Sequence, residues 1–148
     1  MRRRRPATEN DAGSTLLLTI FYGFLATVLI LTCVAATSLY LERKRLFTLA
    51  DGAALAGAEA FDLDDVTAEA GLLRARLDSV RVEAAAEQYL AATPHNGLDE
   101  LTLVSAASAD GRSATVSLRS TWRPPVLALM LPAGIPIDVT AVARSVFW

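Results

Sequence analysis

The chain has 148 residues, a net charge of −2 at neutral pH and 53% hydrophobic residues. That length holds one domain at most. Its one cysteine, Cys33, excludes an intramolecular disulfide and a cysteine-built metal site, and the lack of a basic stripe beyond the N-terminal region argues against nucleic acid as a partner.

Residues 1–13 form a basic tail, with Arg2, Arg3, Arg4 and Arg5 against Glu9 and Asp11. Such a cluster sets topology or touches anionic headgroups. Residues 14–41 then carry no charge. As a helix rising about 1.5 Å per residue, this run reaches about 42 Å, more than a hydrocarbon core of about 30 Å. It reads as a transmembrane helix, since a secretory h-region is usually about 7–15 residues. Val34, Ala35 and Ala36 offer a competing signal-peptidase site before Thr37. Cys33, inside the run, reads as a small apolar residue facing lipid or a neighbouring helix. Four arginines precede the run, and Arg43, Lys44 and Arg45 follow it. The positive-inside count therefore favours a cytoplasmic N-terminus by one residue.

The alanine- and leucine-rich segment after Leu41 has no proline, so the helix is expected to continue over residues 42–60. Leu46, Leu49, Ala53 and Leu55 or Ala56, then Ala60, form one stripe. Ala50, Ala53, Ala54 and Gly57 form a second stripe of small residues, which suits close approach of another helix. Gly52 and Gly57 weaken a helix, so they point to tight packing or bends. Asp62, Asp64 and Asp65 fit no cation loop and read as helix-capping residues.

A second helix is expected over residues 65–93, with Leu73, Leu77, Val80 and Ala84 on its packed face. Arg74, Arg76, Arg81, Glu83 and Glu87 would be its solvated face. His95, the single histidine, sits in a Pro-His-Asn-Gly loop without a nucleophile or acid set beside it.

The period then changes to two. Strands are expected at about 100–109, 112–122 and 136–147. Asp110-Gly111 signals a hairpin turn. Ala114, Val116, Leu118, Ser120 and Trp122 alternate with Thr115, Ser117, Arg119 and Thr121, one face buried and one wet. Leu101 and Leu103 share a face in the first strand. Val139, Ala141, Ala143 and Phe147 do so in the last. Val126 to Leu131 is an apolar patch between prolines, too short to span a membrane and open to either burial or contact. The fold class is α+β: a long N-terminal transmembrane helix running into an amphipathic helix, a second helix, and a three-stranded antiparallel sheet. Residues 42–148 form the small domain outside the membrane.

Three features together resemble the TadE/TadG-like proteins of bacterial Flp (tight-adherence) pilus assembly, of the short actinobacterial type. They are Gly13-Ser14 ahead of the apolar run, the segment from Arg43 to Phe61, and the last strand, Ile137 to Val146. Ala50, Asp51, Ala53, Ala54, Leu55, Ala56, Gly57 and Ala58 carry the most weight. The resemblance implies a type IV pilin-like layout and a non-enzymatic role as a minor pilin or assembly accessory. Partners would be membrane lipid and other Tad pilus or pseudopilin subunits, met through the N-terminal helix, with no cofactor, metal or small-molecule substrate. The implied location is the plasma membrane, single-pass, with the C-terminal domain outside or within a surface pilus. Prepilin-like relatives are cut after a glycine and carry Glu at the fifth mature position. After Gly13 that position is Leu18, so the uncut TadG-like type fits better. The competing reading is a generic single-pass sensor or regulatory subunit, in which any anchor would serve.

Overall fold

The uncharged run and its alanine-rich sequel form one helix, α1, Asn10–Ala58. The computed structural model describes residues 10–61, 66–69, 72–125 and 132–144. Arg2 to Arg5, Asp62, Asp64, Asp65, the Val126–Leu131 patch and Phe147 lie outside them. The chain divides into two compact units, Met1–Thr37 and Ser38–Trp148.

In the first unit α1 carries exposed Leu, Ile, Phe and Val side chains along its length. The helix is long and apolar enough to cross a membrane, with a mean hydropathy of 2.4 in its most apolar window. Its threonines suit that setting. Thr19 Oγ1 donates to the Thr15 carbonyl at 2.8 Å, Thr27 to Gly23 at 2.9 Å and Thr32 to Val28 at 2.8 Å. Each hydroxyl is satisfied within the helix, so none needs a partner from lipid.

In the second unit α1 ends at Ala58. Glu59 N–H reaches the Leu55 carbonyl, and Ala60 N–H tightens onto Gly57 at 3.3 Å. Residues 66–75 depart from the expected helix. Val66–Glu69 and Leu72–Ala75 are strands β1 and β2, paired antiparallel from Val66–Ala75 to Glu69–Leu72. The β-branched pair Val66-Thr67 favours a strand. The helix, α2, is confined to Ser79–Ala92. Its buried residues are Val82 and Ala86, whereas Val80 is 71% exposed and Ala84 is exposed. The phase inherited from Leu73 and Leu77 is therefore wrong for this helix, because residues 72–78 are not helical. Leu77 is buried all the same, and its N–H bonds to the Gly111 carbonyl at 2.9 Å.

Strands β3 (Thr102–Ala107), β4 (Ser113–Trp122) and β5 (Ile135–Arg144) form one antiparallel sheet with β4 in the centre. A register shift between Leu103 and Ser105 marks a bulge in β3. The alternation in β4 holds throughout: Ala114, Val116, Leu118, Ser120 and Trp122 are buried. Opposite them on β5 are Ala141, Val139 and Ile137, buried on the same face. The buried Ser120 hydroxyl donates to the Asp99 carbonyl at 2.9 Å, and the Trp122 indole N–H reaches Ser38 Oγ on α1 at 3.2 Å. On the wet face, Arg119 pairs with Asp138 at 2.7 Å and Ser117 with Thr140 at 2.8 Å, each directly across the ladder. Such cross-strand pairs fix register more than they add stability.

The β3–β4 turn is built as expected. Gly111 takes φ 66°. The Asp110 carboxylate accepts the N–H groups of Arg112 at 2.9 Å and Ser113 at 2.7 Å, and the Ser113 hydroxyl at 2.8 Å. The Arg112 N–H, then the two Ser113 groups, hold the carboxyl down to about 2 from its ordinary 3.8. A depressed folded-state pKa gives stability that is full above the unfolded value and disappears as pH falls through the folded one. Replacing Asp110→Ala should therefore lower the unfolding midpoint above pH 4, with the gap to wild type closing as pH falls towards 2. Thermal unfolding of both proteins across that range checks this, and a gap independent of pH would refute it.

Candidate functional site

Past the apolar run, α1 has two unlike sides. Leu46, Leu49, Ala50, Ala53, Ala54, Gly57 and Ala58 are all buried. The two expected stripes thus merge into one face, and Leu55, half exposed, is not part of it. A Cβ on Gly57 would lie 3.0 Å from a Val82 methyl and 3.3 Å from Ala114 Cβ. One on Gly52 would collide with the Tyr89 ring and hydroxyl. Both glycines are thus sites of close approach, to α2 and β4 at Gly57 and to α2 at Gly52. The small residues Ala50, Ala53, Ala54 and Gly57 are buried inside this chain. The opposite side leaves Tyr40, Phe47, Asp51 and Leu55 in solvent.

A cleft of about 410 Å³ opens beside α1. Leu41, Lys44, Arg45, Thr48 and Leu49 line it from α1, Tyr89 from α2, and Thr93 to Asn96 and Leu98 from the segment after α2. That segment is shaped by local chemistry. Thr93 N–H caps the helix on the Tyr89 carbonyl at 2.9 Å. Gly97 takes φ 90°, and the Arg45 Nη1 passes 3.6 Å from where its Cβ would be. His95 Nδ1 donates to the Thr93 carbonyl at 3.1 Å. Asp99 and Glu100, next along the chain, are both bound by Arg123, at 2.7 and 2.9 Å.

The cleft escapes a sequence reading because its parts are about fifty residues apart. The basic triplet at the end of the apolar run and the Pro-His-Asn-Gly loop are each visible, but not their meeting. Gly13 and Ser14 lie within α1. Among the described residues no group of three or more His, Cys, Asp or Glu is placed to hold a metal ion.

The arrangement of an apolar helix running into a small-residue face is a packing device. Residues 13–60 match the Tad family model, putative Flp pilus-assembly TadE/G-like. The matched segment, about a third of the chain, is nearly the whole of α1 and contains its buried residues Ala50, Ala53, Ala54, Gly57 and Ala58. No curated protein and no solved structure is a significant match. The Tad match supports a role in pilus assembly and fits a membrane-anchored protein.

If the small face sets the approach of α1 to α2 and β4, filling it should be costly. Gly57→Leu should destabilise the domain by about 1–3 kcal/mol through overpacking. Leu55→Ala, on the exposed side, should stay within about 0.5 kcal/mol of wild type. Denaturant unfolding in detergent would compare them, and equal effects would contradict the packing assigned to Gly57.

Proposed function

We propose that the chain is a non-enzymatic accessory protein or minor pilin of a Tad/Flp pilus, held in the plasma membrane by α1 with its N-terminus in the cytoplasm. The observation that carries this is the coincidence of the Tad match, residues 13–60, with one unbroken helix, Asn10–Ala58. A simple tether needs only the apolar run. Here the same helix goes on for a further 17 residues, from 42 to 58, as the packed spine of the domain.

Contacts with other subunits would use the lipid-facing residues of α1 and, beyond them, its exposed side at Tyr40, Phe47 and Leu55. Phe47 and Leu55 are 49% and 50% exposed, and both are apolar. The face carrying Ala50, Ala53, Ala54 and Gly57 is already buried inside the chain, against α2 and β4 at Gly57, so it is not available to a partner without unfolding. The uncut, TadG-like form is favoured by Leu18, which stands where prepilin-like relatives carry Glu.

Deleting the protein from its native host should reduce surface pili seen by electron microscopy, and the full chain should restore them. A chain whose residues 14–41 are replaced by an unrelated apolar helix of the same length should not. Restoration by that chimera would favour a generic anchored sensor, and normal piliation of the deletion strain would sink the assembly role. The intact mass of the protein from native membranes should show residues 1–13 still attached. A mass lacking them would establish cleavage after Gly13 and move the protein to the filament subunits.

A further inference from the structure

The cleft beside Lys44 and Arg45 borders the packed face of α1 at Leu49 and Tyr89, but its two cations take no part in that packing. It begins at Leu41, the last residue of the uncharged run, and its two cations follow three and four positions later. In a membrane-spanning helix that is the depth at which hydrocarbon gives way to headgroups. The lining changes character accordingly. Leu41, Leu49 and Leu98 are apolar, and Lys44, Arg45 and Asn96 offer donors.

Neither cation is consumed by the protein. Among the described residues neither Lys44 nor Arg45 forms an ion pair. Glu42 is within electrostatic reach of both Arg45 and Asp99. Asp99 is engaged by Arg123 at 2.7 Å. The Arg45 guanidinium lies beside the left-handed Gly97, where a larger residue would be strained. A volume of 410 Å³ falls in the range of about 300–1,000 Å³ typical of small-molecule sites.

We propose that this cleft binds the headgroup phosphate of an anionic phospholipid, with Lys44 and Arg45 pairing the phosphate and Leu41 and Leu49 against the glycerol and first acyl carbons. Arginine forks the phosphate oxygens while lysine supplies a point charge, so the pair suits a phosphodiester better than two lysines would. The site requires α1 in a bilayer and nothing of pilus assembly. A failed piliation test therefore leaves it standing, and its own failure leaves the assembly role untouched.

The full chain should be placed in nanodiscs containing equal amounts of phosphatidylglycerol and phosphatidylcholine. Native mass spectrometry after release should show phosphatidylglycerol retained in preference. Lys44→Gln and Arg45→Gln should each lower that retention about fivefold, the scale of one basic charge at an anionic surface. Arg144→Gln, on β5, should not change it. Lys44→Glu, a change at an exposed helical position, should abolish the preference and guards against misfolding of the Arg45 variant. Equal retention of the two lipids by wild type would overturn the proposal, as would unchanged retention in folded Lys44→Glu. Displacement of the lipid by millimolar inorganic phosphate or glycerol 1-phosphate would assign the cleft to a soluble anion and overturn the lipid assignment.

Discussion

Close approach of α1 to the rest of its domain is the constraint on which the other features hang. Ala50, Ala53, Ala54 and Ala58 are fully buried, and Gly57 has no room for even a methyl group without movement of Val82 or Ala114. Alanine and glycine bury little apolar area each, so this face does not hold the domain together by hydrophobic bulk. It sets a distance. A large side chain anywhere along it would push α1 off α2 and β4 and open the core behind. Leu46 and Leu49, one turn nearer the apolar run, supply the bulk that the small face lacks.

That distance also determines what lies at the far end of α2. The Tyr89 side chain covers Gly52, and the backbone of the same residue caps α2 through Thr93. The segment that follows is then brought beside Lys44 and Arg45. The sheet contributes a second set of ties to the same region. The Asp99 carbonyl accepts both the Ser120 hydroxyl and the Thr121 N–H, and the Asp99 carboxylate is held by Arg123. The loop lining the cleft is thereby fixed at both ends, one end by α2 and the other by β4. A cleft whose walls are ordered by packing elsewhere is preorganised, which lowers the entropy cost of binding there.

Much of this was legible in the residues. The uncharged run, its helical continuation and the period-two alternation of β4 follow from patterns with a single physical reading. So does the Asp110-Gly111 turn. Residues 66–78 were not legible as they stand. Leucines at helical spacing, Leu73 and Leu77, coexist there with Val66, Thr67 and Gly71. Local propensity was balanced, and the pairing of β1 with β2 decided it. Carrying the helical phase forward from Leu73 and Leu77 puts Val80 and Ala84 inside in place of Val82 and Ala86. The small stripe was recognised as a packing surface, but spacing alone cannot say whether its partner is in the same chain. Contact with Val82 and Ala114 answers that, and no one-dimensional signal contained it.

The division of α1 into unlike faces has a consequence for how such a helix can act in an assembly. In a bilayer, association along the uncharged part of α1 rests on shape and on lipid, without a hydrophobic driving force. In the second unit the situation reverses. One side is committed to the fold, and what remains is a narrow exposed strip where Phe47 and Leu55 flank Asp51. In water such apolar residues favour association, and the acid between them penalises a partner that cannot match its charge. Selectivity among partners is therefore better placed in this short aqueous strip than in the longer apolar run. Under the proposed assembly role a substitution at exposed Asp51 bears on partner choice, whereas one at Gly57 bears first on whether the domain folds.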